Sequence, residues 1–407
     1  MRDTINKPDR HIYRLPPCPS YDVEGMESWL SDMASHGWLL IKDGFFAGVA
    51  TFEMSRPCHM KYRLEAAPKP TSIWSDGGGT PDEEAIAISQ KYGWDYVATR
   101  GEFYIYRTES AEARELNTDP QVQALALNAV RRRQRSTLIS CFFWPFLSCL
   151  LYMRTGLLLT MIQVGTWFFL FSVALLIWIF ASSLTRVIHL GRLRKKLLSG
   201  GVLDHHKSWK GRAARYHAGN ALQWILILVW FGIVFHNWSI STMDEDKISL
   251  EAYTGHPPFA TMGDFAPEGR YRLNDFGISN TVKEWTDWLA PHAMDWDEIA
   301  TVALPDGTCI SGGLYVNYYE TVSPWLANAL AREYLRMDRH KKNYEGLAPP
   351  PLEVDYAAAY LDSLHFPTLI LQNGNKIMRV RFYQTSASRE LPFDEWAQLM
   401  ADSIVQP

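Results

Sequence analysis

Three kinds of side chain in this sequence are capable of chemistry at their spacing. Asp204-His205-His206, with His217 eleven residues on, offers imidazoles and a carboxylate for a metal or a phosphoester. The tripeptide has no companion aspartates at strand ends and its host segment is too short for a fold, so it reads as a solvated loop. Tyr315, Tyr318, Tyr319 and Trp325 flank Gly312-Gly313 and a helix start, and make a candidate ligand surface, although packing in a core is the stronger expectation for such rings. The third kind is cationic: eight Lys or Arg and one acid lie between His189 and Asn220. No Ser/His/Asp order assembles without free choice of residues, and His256, His292, His340 and His365 show no metal-ligand rhythm. Five cysteines, at 18, 58, 141, 149 and 309, lack CxxC spacing. No cofactor, metal or catalytic residue is therefore assigned, and a non-enzymatic role is expected.

The elements around the cations explain them. Residues 1–130 hold 13 basic and 19 acidic side chains, residues 131–238 hold 14 and 1, and residues 239–407 hold 13 and 24. Acidic flanks on both sides argue against a nucleic-acid binder, because both would repel a polyanion. Ser136 to Met153 carries no charge, and neither does Leu157 to Leu184; Arg154 alone separates them, with Thr155 and Gly156. A third apolar run begins at Ala221 and reaches Trp238. At about 1.5 Å per residue, a hydrocarbon core of roughly 30 Å needs some 20 residues. Three transmembrane helices are expected, at about 136–153, 157–184 and 221–238, joined by a basic loop over 185–220. Arg131, Arg132, Arg133 and Arg135 precede the first; Arg192, Arg194, Lys195, Lys196, Lys207, Lys210, Arg212 and Arg215 follow the second. The positive-inside rule then places residues 1–135 and the basic loop in the cytoplasm and the C-terminal domain outside. These twelve cations should also meet the anionic lipids of the inner leaflet. The first 25 residues lack the apolar run and cleavage site of a signal peptide, which agrees with a cytoplasmic N-terminus.

The flanking segments read as two α+β domains. Asp22 caps an amphipathic helix carrying Val23, Met26, Trp29, Leu30 and Met33, and Gly37 stops it. WLLIKD, VATFEM and MKYRLE read as strands, then a helix near Asp82–Tyr92, then WDYVAT and EFYIYR as two more strands. TSIWSDGGGTP reads as a flexible connection, since its glycines lack phosphate-loop spacing. Trp29, Trp38, Tyr62, Trp94, Phe103, Tyr104 and Tyr106 fill a small core in preference to lining an aromatic pocket. In the C-terminal domain, Ser323-Pro324 starts a helix, Asn280 is expected to cap another, and Asn373-Gly374 turns a hairpin. A last helix carries Trp396, Leu399, Met400 and Ile404.

At several of these positions the chain resembles bacterial membrane proteins that carry the domain of unknown function DUF2812. The resemblance rests on Trp29-Leu30-x-x-Met33-Ala34-x-x-Gly37-Trp38-x-Leu40, Lys61-Tyr62-Arg63-Leu64, Gly93-Trp94, Gly101-x-Phe103-Tyr104-x-Tyr106-Arg107 and Thr118-Asp119. It covers about residues 21–135 and implies a cytoplasmic domain followed by membrane helices; it brings no activity or site residues. The expected function is a sensor or scaffold joining an extracytoplasmic ligand- or partner-binding domain to a cytoplasmic domain with a protein partner. A transport-accessory or immunity protein comes second and an envelope enzyme third.

Overall fold

The computed structural model describes residues 11–67, 79–110, 112–116, 119–243, 246–274, 280–340, 344–385 and 388–405. The glycine-rich stretch at Gly77–Gly78, like Thr118, lies outside them, as do the side chains of Cys149 and Arg154. The chain divides into two compact units: residues 1–144 with 175–229, and 145–174 with 230–407.

In the first unit, α1 (Val23–Ser35) begins where Asp22 accepts a hydrogen bond from the Gly25 amide, 3.3 Å. It ends at Gly37, whose φ of 82° suits glycine and where a Cβ would lie 2.9 Å from the Ser55 carbonyl oxygen. The unit also holds two three-stranded antiparallel sheets. One has the order β1-β3-β2, from β1 (His11–Arg14), β2 (Trp38–Phe46) and β3 (Val49–Met54). The other has the order β4-β6-β5, from β4 (Lys61–Ala66), β5 (Asp95–Arg100) and β6 (Phe103–Thr108), with α2 (Glu83–Lys91) between β4 and β5. Ala47 and Gly48, both at positive φ, form the tight turn between β2 and β3. The expected strands are present, and β1 is additional: HIYR alternates too briefly to stand out in the sequence. Trp29, Tyr62, Trp94, Phe103, Tyr104 and Tyr106 are buried.

The helices differ from the expected pattern. The first apolar run lies in α3 (Pro120–Thr155). The run from Leu157 is not one helix: Gly165, at φ 98°, separates α4 (Leu157–Val164) from α5 (Thr166–Leu198). Most of the expected basic loop over 185–220 is helical, because α5 continues to Leu198 and α6 (Lys210–Met243) already includes Lys210, Arg212 and Arg215. Residues 186–198 contain no Pro, and their Leu, Lys and Arg favour a helix enough to carry it through Gly191. Among the described residues, two helices are long and apolar enough to cross a membrane, α5 and α6 over Lys210–Asn237. Trp167, Leu170, Ile177, Trp224, Leu228 and Phe231 on them are exposed, which in water would be unfavourable.

The second unit is built on a nine-stranded antiparallel sheet. Its strands are β7 (Ile248–Ser249), β8 (Arg270–Leu273), β9 (Thr281–Trp285), β10 (His292–Ala303), β11 (Cys309–Glu320), β12 (Glu345–Leu347), β13 (Tyr356–Leu361), β14 (Pro367–Asn373) and β15 (Lys376–Gln384). The order is β12-β13-β14-β15-β11-β10-β9-β7, and β8 also pairs with β10. On one face α8 (Phe393–Val405) packs Trp396, Met400 and Ile404 against Leu314, Val316, Tyr318 and Phe382. On the other, α7 (Pro324–Arg339) and α4 pack Leu330, Tyr334, Leu159 and Ile162 with Tyr319, Ile370 and Ile377. Ser323 caps α7 as expected, accepting from Leu326 N at 3.3 Å. Asn280 caps no helix. It sits at φ 67°, and its amide bonds the Asn274 carbonyl and the Ile299 N–H, both at 2.6 Å, so the segment after it pairs as β9. The last hairpin turns on Gly374-Asn375, one residue later than expected, with glycine at the positive-φ position.

Candidate binding site in the first unit

The first turns of α1 present three acids, Asp22, Glu24 and Glu27, and the segment from the end of α5 to the start of α6 closes on them. Glu24 accepts from Lys196 Nζ at 2.6 Å and from the Asp204 N–H at 3.0 Å, and Lys207 Nζ lies 3.2 Å away. Lys207 also donates to Asp22 at 2.8 Å, with Arg212 at 4.0 Å from Asp22 and Lys210 at 3.7 Å from Asp32. Burial alone would raise the pKa of Glu24; the Asp204 amide and the two ammonium groups outweigh it and bring it to about 2. Asp204 and His206 are exposed in the turn between α5 and α6, as expected of a solvated loop, but His205 between them is half-buried. Its Nδ1 is 2.5 Å from Glu27, whose side chain is 1% exposed and also accepts from the Leu64 N–H at 2.8 Å. Arg63 stands 4.0 Å from Glu27 and forks onto Glu115 at 2.7 and 2.8 Å, with its third hydrogen bond to the Tyr62 carbonyl. That fork is the main reason the Glu115 pKa is lowered.

Of these groups, Glu27, Arg63, Glu115 and His205 rim a cavity of about 380 Å³. Its walls are Val23, Leu64 and Phe103 from the domain, Leu127 from α3, and Leu193 and Leu197 from α5. An apolar volume of this size with a few fixed polar groups is the usual form of a small-molecule site. Glu27, Arg63, Glu115 and His205 at the rim pair with one another, so the arrangement can hold and orient a ligand. The sequence does not single out Glu27 or Glu115, and Arg63 stands out only as part of the Lys61-Tyr62-Arg63-Leu64 motif. The signal available was the acidic triplet on one helix set against a basic segment with a single acid.

The twelve cations therefore have different surroundings. Lys196, Lys207, Lys210 and Arg212 meet acids of α1, and Arg133 lies 3.3 Å from Glu102. Arg131, Arg132 and Arg135 line a separate cavity with Asn128. Arg192 and Lys195 are exposed at the end of α5, Arg194 is half-buried there, and Arg215 lies on α6. Among the described residues, no group of three or more His, Cys, Asp or Glu could hold a metal ion.

The four aromatic candidates of the second unit do not form one surface. Tyr318 and Tyr319 are buried on opposite faces of the sheet, and Trp325 is 75% exposed at the start of α7. Tyr315 stacks on Tyr383 and carries the Arg381 guanidinium 4.5 Å above its ring. It lines a polar hollow of about 250 Å³ with Asp295, Asp297, Asn317 and Arg379. Burial raises the pKa of Asp295 and Asp297, partly offset by Asn317 for the first and by Lys247 for the second.

The acids and aromatics that build the first unit fall inside a known sequence family. Residues 22–141 match the model described as Protein of unknown function (DUF2812). The DUF2812 region contains all of α1, β2 to β6 and the first part of α3, so Glu27, Arg63 and Glu115 lie within it. Nothing among curated proteins matches the chain, and no solved structure matches it.

Proposed function

We propose that this chain is a multi-pass membrane sensor whose DUF2812 domain binds a small, largely apolar ligand and couples its occupancy to the membrane helices. The observation that carries the reading is the shared wall of the 380 Å³ cavity: Leu127 of α3 and Leu193 and Leu197 of α5 complete a pocket begun by Val23, Leu64 and Phe103. A ligand there touches the domain and the helices at once, so its binding energy differs between arrangements of the two. The DUF2812 domain is cytoplasmic and the acidic C-terminal domain extracytoplasmic in this reading, which the cation distribution supports. α3, α5 and α6 each have residues in both units, which gives a covalent route between them.

The test uses full-length protein purified from membranes. Small molecules released on denaturation are identified by mass spectrometry and compared with those from Ala126→Trp, which fills the cavity from its rim. A compound enriched with the natural chain and lost with the variant supports the reading; identical profiles overturn it. Orientation is tested separately by leaving Cys309 as the sole cysteine and applying an impermeant maleimide to intact cells. Labelling is expected, and labelling confined to permeabilised cells overturns the assigned topology.

A further inference from the structure

The basic residues on α3, on α5 and in the segment leading into α6 fall into two chemical groups. Lys196, Lys207, Lys210, Arg212 and Arg133 each face a carboxylate. Among the described residues no carboxylate pairs with Arg131, Arg135 or Arg194. Val130 of α3 and Leu190 and Leu193 of α5 are buried in the same core, which draws their neighbouring arginines together. Arg131 lies across Gly191 of α5: a Cβ built on that glycine would be 3.6 Å from the guanidinium. The Nε atoms of Arg131 and Arg194 are shielded from solvent and have no hydrogen-bond partner. Burial, then the charges of Arg135 and Arg194, lower the pKa of Arg131, as expected where cations converge without an anion. Beside them opens a cavity of about 270 Å³ lined by Asn128, Arg131, Arg132 and Arg135.

Converging guanidinium groups with unused donors call for an oxyanion that can take several hydrogen bonds, and phosphate matches their fork geometry. The location selects the source. Within four residues of Arg135, α3 enters its apolar run, where Ile139, Phe142 and Phe143 are exposed. A free phosphate would make no use of that surface, whereas the acyl chains of a lipid would cover it. We propose that Arg131, Arg135 and Arg194 form a binding site for the phosphate headgroup of an anionic glycerophospholipid. The site depends on the chain being in a membrane but not on the ligand cavity.

Native mass spectrometry of the full-length protein in detergent, titrated with phosphatidylglycerol, phosphatidylcholine or glycerol phosphate, tests this. The natural chain should retain phosphatidylglycerol in preference to the other two. Removing two charges in Arg131→Gln/Arg194→Gln should weaken retention roughly thirtyfold, while Arg192→Gln/Lys195→Gln, which removes equal charge from exposed positions, should change it little. If the glutamine pair does not yield monodisperse protein, Arg131→Lys/Arg194→Lys keeps charge and stems but loses the forks, and should still weaken retention. Equal losses in both glutamine pairs would leave only general attraction to anionic lipid and overturn the site. So would unchanged retention in the arginine variants, or glycerol phosphate competing at the lipid's own concentration. Because Ala126→Trp does not touch these arginines, its result stands or falls independently.

Discussion

The two units handle charge and core in opposite ways. In the DUF2812-containing unit, acids on the first helix are matched by bases 172 to 185 residues further along the chain, and helix ends from α3 and α5 complete the core. The C-terminal unit closes its own cores on both faces of one continuous sheet and uses acids to fix helix ends. Gly156 and Gly165 supply no capping side chain to α4 or α5; Glu333 accepts the Leu159 N–H at 2.9 Å instead, and Asp287 accepts the Thr166 N–H at 2.7 Å. The contrast teaches that the acids of the first helix and the basic segment far along the chain are contact partners. It also implies that the C-terminal unit is stable by itself, whereas the first unit depends on long-range ionic closure.

The largest effect expected is on that self-sufficiency. Trp396 is buried edge-on to Phe382 and Phe393, with ring centroids at 5.8 and 5.1 Å. Trp396→Ala should cost about 3–5 kcal/mol. Hydrogen exchange on the full chain should rise through β14, β15 and α8 while α1 and β2–β6 stay protected. A rise in both regions would break the comparison, because the units would then unfold as one.

Ionic closure of the first unit should show in acid. With its pKa lowered to about 2 from an ordinary 4.5, Glu24 contributes stability that is present above pH 4.5 and is lost as pH falls toward 2. The shift alone would correspond to about 3 kcal/mol, and screening by solvent around this partly exposed group reduces it to roughly 2 kcal/mol. Pepsin cleavage within residues 199–209 should therefore accelerate steeply between pH 4.5 and 2. In Glu24→Gln it should be fast throughout and nearly flat, and an unchanged pH profile in that variant would remove Glu24 as the titrating group.

Asp287 sharpens the other half. It accepts both the Thr166 N–H and, at 2.5 Å, the Thr166 hydroxyl, so one carboxylate does the work of a local cap at the first turn of α5. Asp287→Ala should cost about 1–2 kcal/mol. The loss should appear as faster exchange at residues 166–169 and nowhere in the first unit. Loss confined to residues near 287 would mean that the cap contributes nothing to the helix.

Elements with local signals were legible in the sequence. Asp22, Ser323-Pro324 and Gly37 act through contacts within a few residues and the structure carries them, and the last hairpin is present with its turn one residue later, on Gly374-Asn375. Asn280 misled because its side chain bonds Ile299, nineteen positions away, a partner no local pattern reveals. Gly165 was hidden for a different reason: an apolar run looks the same whether one helix spans it or α4 turns aside to bury Leu159 and Ile162 under α7. The cavity was illegible because its walls come from Val23, Phe103, Leu127 and Leu197, which are far apart in sequence and meet only in the folded core.

The smallest effect concerns Trp325, whose position next to Pro324 made it a candidate for ligand contact. Its ring is 75% exposed, and the neighbours chosen with it lie elsewhere: Tyr318 and Tyr319 are in the two cores, and Tyr315 is under Arg381. An exposed side chain away from a cap or core changes stability by less than about 0.5 kcal/mol when replaced. Trp325→Ala should accordingly leave the melting transition of the C-terminal unit in place, since Ser323 and not Trp325 caps α7. A Trp325 that matters will show instead in binding: if a partner docks on the start of α7, the variant should lose that partner while its fold is intact. A destabilisation above 1 kcal/mol would contradict the exposed placement and reopen the division between core and surface in this unit.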